Sequence, residues 1–201
     1  SGSSWPADYA DTRTVRRVAR KLRELGCASV HIGGGEPFLD IDGLIDVVST
    51  LRASGLGIDY IETNAAWFRD RDSAAVVLGS LLKAGARMLL VSISPFHNEY
   101  IPFRKTIGLM ETCESVGMSV FPWGSQFIDE MSALDPDHTH SIEEYASRFG
   151  DDYLSSIPRR YWVEMRGRAI STFGPLNEPQ TADEIAAANG PCRELEDVSH
   201  F

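Results

Sequence analysis

The chain has 201 residues and a mass of 22.2 kDa, which is typical of one large domain. Its 19 basic and 29 acidic residues give a formal net charge of −10. Because nucleic acids and anionic membranes attract basic proteins, this balance disfavours both kinds of partner. No apolar run approaches the roughly 20 residues of a transmembrane helix. The three cysteines, Cys27, Cys113 and Cys192, have no disulfide or zinc-site spacing, so we expect free thiols and a cytoplasmic protein.

Four times along the chain, an amphipathic helical pattern is followed by a glycine and then by a short apolar segment typical of a strand. The predicted helices cover residues 11–25, 42–54, 72–84 and 103–116, and the glycines are Gly26, Gly55, Gly85 and Gly117. The predicted strands cover residues 27–32, 56–63, 87–94 and 118–123. Further along, Ser141 and Glu144 predict a capping box for a helix over 141–149. A fifth strand is predicted over 160–170 and a short helix over 181–188.

This alternation predicts an α/β fold with a parallel sheet, because the connections between strands are too long for hairpins. An open doubly wound sheet and a barrel both fit the alternation. A complete (β/α)8 barrel needs about 250 residues, so five strands in 201 residues favour a partial TIM-like (β/α)6 barrel. We expect one core domain over residues 1–201, with 171–201 as an irregular C-terminal extension. The first element is a helix, so we expect the barrel to be incomplete at the N-terminus.

In both architectures the functional residues lie at the carboxyl ends of the strands. The first strand ends in Gly33-Gly34-Gly35-Glu36-Pro37, where glycines let a ligand approach the backbone and a carboxylate suits a cationic amine. The segment matches neither the dinucleotide-binding pattern nor the P-loop. It also fits a tight turn between a strand and a helix, with a solvated Glu36.

Polar and aromatic residues follow the other predicted strands as well, a composition typical of small-molecule sites. In chain order these residues are Thr63, Asn64, Ser94, His97, Trp123, Glu164 and Arg166. The alternative is structural: Thr63 and Asn64 cap the following turn, and Trp67 covers the rim of the barrel.

One segment contains several metal-ligating residue types close together. Asp137, His138 and His140 would serve a metal-dependent α/β-barrel hydrolase, although such short loop segments are mostly solvated caps and turns. Ser92 and Ser94 lack the G-x-S-x-G pattern of a hydrolase nucleophile. We therefore predict no metal ligands within this chain.

The segment from His31 to Leu39 resembles the Gly-Gly-Glu-Pro motif of radical S-adenosylmethionine (SAM) enzymes. Like that motif, it follows a strand and precedes a helix rich in Leu and Ile. Thr63-Asn64 is similar to the Thr-Asn that often ends the family's next strand, and residues 91–94 are similar to the strand after it. Gly167-Arg168-Ala169 resembles a Gly-Arg-Ala found late in some members. The likeness spans residues 11–169.

The resemblance implies a partial (β/α)6 barrel that binds SAM and a [4Fe–4S] cluster. The residues that it implies for SAM are Gly34, Gly35, Glu36, Pro37, Thr63, Asn64 and Ser94, with the glycine backbone at the amino group of the methionine. Enzymes of this family carry out chemistry of the oxidoreductase type. Their reduced cluster cleaves SAM to a 5′-deoxyadenosyl radical, which abstracts a hydrogen atom from the substrate. Such an enzyme needs an electron donor and a small-molecule or peptide substrate. On the substrate side of the cleft we place His97, Trp123, Glu164 and Arg166.

The chain lacks one part of the family pattern, the Cys-x-x-x-Cys-x-x-Cys segment before Gly-Gly-Glu-Pro. This segment holds the cluster, because iron–sulfur clusters bind thiolate ligands. We therefore interpret the chain as an internal fragment of a radical SAM core domain that is inactive by itself. The alternatives are a non-catalytic α/β binding module and the metal-dependent hydrolase.

Overall fold

The computed structural model describes residues 9–161, 163, 168–176, 181, 183, 184 and 187. Over these residues the chain is a mixed α/β protein with a parallel sheet of four strands. The strands are β1 (Ser29–Ile32), β2 (Gly57–Thr63), β3 (Met88–Ser92) and β4 (Ser119–Trp123). The helices are α1 (Thr12–Glu24), α2 (Ile41–Ala53), α3 (Arg71–Ala84), α4 (Pro95–Asn98), α5 (Phe103–Val116), α6 (Ile128–Ser132), α7 (Ile142–Phe149), α8 (Tyr153–Arg160) and α9 (Arg168–Phe173).

The chain divides into two compact units, Ser1–Leu154 and Ser155–Phe201. The first unit contains all four strands and the candidate functional site described below. The second unit contains most of α8, and it also contains α9 and a 3₁₀ turn over Gly174–Leu176. Among the helices of the described ranges, none is both long enough and apolar enough to cross a membrane.

Local sequence signals determine where the main helices begin and end. Asp11, Asp40 and Asp70 each accept a backbone hydrogen bond at the first turn of a helix, which satisfies a donor that the helix itself leaves unpaired. The capping box predicted at Ser141 is confirmed at the start of α7. The four glycines predicted to end helices all have positive φ, and they are Gly26, Gly55, Gly85 and Gly117.

The sheet has the order β1-β2-β3-β4, so each strand pairs with its neighbour along the chain. Its main core lies on one face, where Ile61 and Leu89 are fully buried together with Leu78 of α3 and Leu109 of α5. A second cluster joins α1 to α2 and is formed by Val15, Ala19, Leu51 and Leu56. Because side chains alternate along a strand, Tyr60 and Phe121 lie on the opposite face.

The structure corrects the sequence analysis in the C-terminal part of the chain. Arg160 ends α8 and Arg168–Ile170 begin α9, so both ends of the strand predicted over 160–170 are helical. A short run of apolar residues does not distinguish a strand from a helix, which explains the error. Except for Tyr161 and Val163, the middle of that segment lies outside the described residues, as do half of the predicted helix over 181–188 and most of the 171–201 extension.

Candidate functional site

A loop at the carboxyl end of β1 forms one side of a cavity of about 340 Å³. We call this loop, Gly33–Glu36, the glycine loop. The volume lies within the usual range of small-molecule sites. The remaining lining residues come from the segment before α1, from the end of β1, from the 3₁₀ turn over Pro37–Leu39 and from α2, and they are Tyr9, Ala10, Ile32, Pro37, Leu39, Leu44 and Val47.

The glycines of this loop expose the backbone to the cavity. Gly34 has a φ of +125°, a conformation that residues with a side chain rarely adopt. A Cβ atom added to Gly34 or Gly35 would meet no heavy atom within 4 Å, whereas at Gly33 it would lie 2.7 Å from Oε2 of Glu62. The loop therefore leaves an open space beside its N–H and C=O groups that side chains would fill.

The Glu36 side chain joins the glycine loop to the end of β2. Oε1 of Glu36 accepts hydrogen bonds from the Thr63 hydroxyl at 2.9 Å and the Phe38 N–H at 3.2 Å, and Oε2 accepts from the Asn64 N–H at 2.8 Å. Burial raises the pKa of Glu36, while these three hydrogen bonds act in the opposite direction. The carboxylate is thus partly buried and joins two strand ends. It is not solvated, as it would be if the segment were only a tight turn.

Thr63 is 2% exposed, and its hydroxyl is used within the protein. Besides donating to Glu36, it accepts hydrogen bonds from the Ala65 N–H at 3.1 Å and from Nε1 of Trp67 at 3.0 Å. The Trp67 ring in turn stacks on Phe38, with centroids 4.4 Å apart and planes within 2°. Thr63 therefore fixes the loop after β2 and does not line the cavity.

The Asn64 side chain also shapes the loop after β2. Its Oδ1 accepts a hydrogen bond from the Ala66 N–H at 2.9 Å, the geometry of an Asx turn. Ala65, between these two residues, has a φ of +65°, which is a strained conformation for a residue with a Cβ atom. The group of Asn64 that reaches the glycine loop is its backbone N–H, and not its side-chain amide.

Ser94 and His97 lie at the start of α4, after β3. The Ser94 side chain caps this short helix, and its Oγ lies 2.7 Å from Nδ1 of His97. The end of β4 is close by, because the Trp123 carbonyl accepts a hydrogen bond from the Ile93 N–H at 2.7 Å. None of these residues is among those that line the glycine-loop cavity in the described part of the chain. Glu164 and Arg166, the other two substrate-side predictions, lie outside the described residues.

The polar groups of segment 135–140 bind one another. His138 lies 2.9 Å from the Asp135 carboxylate, His140 lies 2.8 Å from the Asp135 carbonyl, and Asp137 pairs with Arg104. Hydrogen bonds from the Asp137 N–H and from His138 lower the pKa of Asp135. Across the described residues, no group of three or more His, Cys, Asp or Glu side chains is arranged to hold a metal ion.

The two described cysteines do not fit the ligand set of an iron–sulfur cluster. Cys113 is buried in the main core beneath the sheet, while Cys27 is half-buried against the cluster between α1 and α2. Burial also raises the pKa of Cys113 to about 12, so its thiolate form is disfavoured. Cluster ligands need several thiolates around one site, and these two thiols belong to separate parts of the core.

Two further residues of the site are not found by sequence analysis. Tyr9 lines the cavity and its hydroxyl donates to the Glu36 carbonyl at 3.4 Å, although 27 positions separate the two residues. Phe38 supports the loop through its stacking on Trp67. Neither role has a signal in the sequence, since both depend on contacts between distant segments.

No protein-family model matches the sequence. The chain also has no significant match among curated proteins. Its function therefore has to be inferred from the glycine loop, the cavity beside it and the strand ends that meet there.

Proposed function

We propose that this chain is the SAM-binding core of a radical SAM protein, folded as part of a (β/α)6 barrel. The observation that carries the proposal is the contact between the glycine loop and the end of β2. Glu36 hydrogen-bonds both Thr63 and Asn64, so two segments that resemble the family separately also meet in space. They meet at the carboxyl edge of a parallel sheet, where ligands of such folds bind.

The strand order favours a barrel over a doubly wound sheet. Connections between parallel strands are right-handed, so strands added in one direction place their helices on one face. The order β1-β2-β3-β4 has no reversal, whereas a doubly wound sheet needs one at its ligand-binding point. Consistent with this, α2, α3 and α5 contribute to one core on a single face.

The glycine loop suits the methionine end of SAM. We assign the loop carbonyl groups to its amine, because the Glu36 carboxylate already has three hydrogen-bond donors. Leu44 and Val47 of α2 add apolar lining to the same cavity. In this proposal Thr63 acts on SAM only indirectly, by holding Glu36 and hence the loop.

The cluster that the family uses would supply the electron that cleaves SAM. The described thiols do not fit such a cluster, so we derive no chemical step through it for these residues. What the chain itself contributes in the proposal is a binding surface: it orients the amine, fixes the loop and covers one side of the ligand.

SAM binding is tested by isothermal titration calorimetry on the 201-residue chain. We expect SAM to bind and 5′-methylthioadenosine, which lacks the amino acid end, to bind at least tenfold more weakly. Gly35→Val should abolish SAM binding, because its side chain would occupy open space at the loop. Gly79→Val is the matched control, since Gly79 also has open space around it but lies on α3 and does not line the cavity.

Two results would contradict this binding site. One is equal affinity for SAM and 5′-methylthioadenosine, which would show that the protein does not recognise the amine. The other is unchanged SAM affinity in Gly35→Val, which would show that SAM does not bind at the glycine loop. Circular dichroism of both valine variants separates loss of binding from loss of fold.

The radical chemistry is tested on the full-length natural protein. After anaerobic reconstitution with iron and sulfide and reduction, addition of SAM should yield 5′-deoxyadenosine. A colourless protein that binds SAM and leaves it intact would favour the non-catalytic α/β binding module. An intact radical SAM enzyme would also require an electron donor and a small-molecule or peptide substrate.

A further inference from the structure

Helix α1 has a charge opposite to that of the rest of the chain. Six of the 19 basic residues lie within its 13 residues, against one of the 29 acidic residues. These basic residues are all exposed, and they are Arg13, Arg16, Arg17, Arg20, Lys21 and Arg23. Elsewhere in the sequence, acidic residues outnumber basic ones by more than two to one.

Helix stability does not account for this concentration of charge. Arg13 and Arg17, and likewise Arg16 and Arg20, are spaced four residues apart, where like charges destabilise a helix. On α1, Lys21 pairs with Glu24 at 3.2 Å. In the described part of the chain, no acidic side chain lies within ion-pair distance of four of the cations, Arg13, Arg16, Arg17 and Arg20.

An exposed apolar side chain borders some of these cations. Val18 is 47% exposed and lines a shallow surface depression with Arg17, Arg20, Lys21 and Glu24. The adjoining side of α1 is already used, because Val15 and Ala19 are buried in the cluster that joins α1 to α2. An exposed apolar residue beside arginines is a composition found in protein interfaces, whose core is apolar and enriched in arginine.

We propose that the exposed basic face of α1, with Val18 at its edge, is a docking surface for an acidic protein. Charge complementarity indicates the class of partner. The face is strongly basic and attracts an acidic partner, whereas the acidic remainder of the chain would repel a long polyanion. A nucleic acid or an anionic membrane extends beyond one helix and would meet that acidic remainder. An acidic patch on a protein can be limited to the length of the helix, about 20 Å for 13 residues.

The small size of this surface implies a transient complex. A stable interface buries about 800 Å² on each partner, more than one face of a 13-residue helix offers. Opposite charges raise the rate of association and make it sensitive to salt. We therefore expect micromolar affinity that falls steeply as ionic strength increases.

The surface is tested by fluorescence anisotropy with two labelled 20-residue peptides in the absence of SAM. One peptide contains only glutamate, and the other carries leucine in place of every fourth glutamate. At 50 mM salt the leucine-bearing peptide should bind more tightly than the other. Arg17→Glu/Arg20→Glu should weaken its binding at least tenfold, whereas Arg69→Glu/Arg87→Glu, which changes the net charge equally at exposed sites outside α1, should change it less than twofold.

Val18→Ser separates docking from general attraction of charge. It should weaken binding of the leucine-bearing peptide several-fold and leave the all-glutamate peptide unaffected. The proposal is wrong if both double variants weaken binding equally, or if a 20-nucleotide oligo-dT or phosphatidylserine vesicles bind more tightly than the leucine-bearing peptide. These measurements do not involve SAM, so their result is independent of the proposed SAM site.

Discussion

Glu36 is the residue on which the candidate site depends most directly. Its carboxylate accepts one hydrogen bond from the adjacent 3₁₀ turn and two from the end of β2, so a single side chain fixes the distance between the two strand ends. Hydrogen bonds to a charged group contribute about 1.5–3 kcal/mol each, but burial of the carboxylate offsets part of that gain. The raised pKa of Glu36 reflects this balance, with burial as the larger effect.

The raised pKa predicts a dependence of stability on pH. From the usual value of 4.5 up to its raised pKa, Glu36 binds more protons in the folded state than in the unfolded state. Its contribution to stability is therefore fully present below pH 4.5 and is lost as pH rises through the folded pKa, by at most about 1.4 kcal/mol per pH unit. In urea unfolding measured from pH 4 to pH 8, the free energy of unfolding should fall less for Glu36→Gln than for the wild type.

The control for this measurement is Glu114→Gln, which removes one negative charge at an exposed position of α5. Its free energy of unfolding should follow the wild-type pH profile. Identical profiles for Glu36→Gln and the wild type would show that the carboxylate is not buried as described.

Cys113 provides a second prediction at the scale of one residue. It is fully buried and its pKa is raised to about 12, so neither access nor thiolate formation favours its reaction. In native protein treated with iodoacetamide at pH 8, peptide mass spectrometry should find Cys113 unmodified. The half-buried Cys27 should react first, and both should react in 8 M urea. Equal rates for Cys113 in the native and denatured protein would contradict the packing of the main core.

At the scale of elements, α3 and α5 pack beside each other on the sheet, and each contains one internal glycine. Their surroundings differ. A Cβ atom added to Gly108 of α5 would lie 2.7 Å from the ring of Phe68, whereas one added to Gly79 of α3 would meet nothing within 4 Å. Gly108 thus permits a close approach between α5 and the segment after β2, and Gly79 has no such role.

This difference predicts opposite effects of the same substitution. Gly79→Ala should stabilise the protein by about 0.5–1 kcal/mol, because alanine has the higher helix propensity. Gly108→Ala gains the same helix propensity but forces Phe68 to move, and such overpacking costs about 1–3 kcal/mol. We therefore expect Gly108→Ala to lower the free energy of unfolding by about 1–2 kcal/mol. Urea unfolding measures both, and Gly108→Ala should regain stability when combined with Phe68→Leu. A stabilising Gly108→Ala would contradict this contact.

At the scale of the whole molecule, the parallel direction of all four strands brings their carboxyl ends to one edge of the sheet. The cavity forms there from segments far apart in sequence, including Tyr9, the glycine loop and Val47. A ligand bound among them is linked to the folding of the first compact unit, because these segments separate when it unfolds.

Linkage between ligand binding and folding predicts a change in the stability of the whole chain. If SAM binds only the folded chain, a concentration 100 times its dissociation constant should raise the free energy of unfolding by about 2.7 kcal/mol. The urea midpoint should increase accordingly for the wild type and for Gly79→Val, and it should not change for Gly35→Val. An equal increase in all three proteins would indicate binding elsewhere on the chain.

Local sequence signals specify the helices and strands of the first compact unit and much of where these elements end. Helical periodicity, the caps at Asp11 and Ser141 and the glycines after four helices act between residues only a few positions apart, so they can be recognised in a single sequence. The same signals fail over residues 160–170, where a short apolar run fits strand and helix equally well.

The roles of the site residues depend on tertiary contacts. The sequence points to Glu36, Thr63 and Asn64 as neighbours of a ligand, but the carboxylate and the hydroxyl are used to join two strand ends. The cavity depends on Tyr9, which is 27 residues from its hydrogen-bond partner Glu36. Such contacts depend on how the whole chain packs, and no local pattern of residues encodes them.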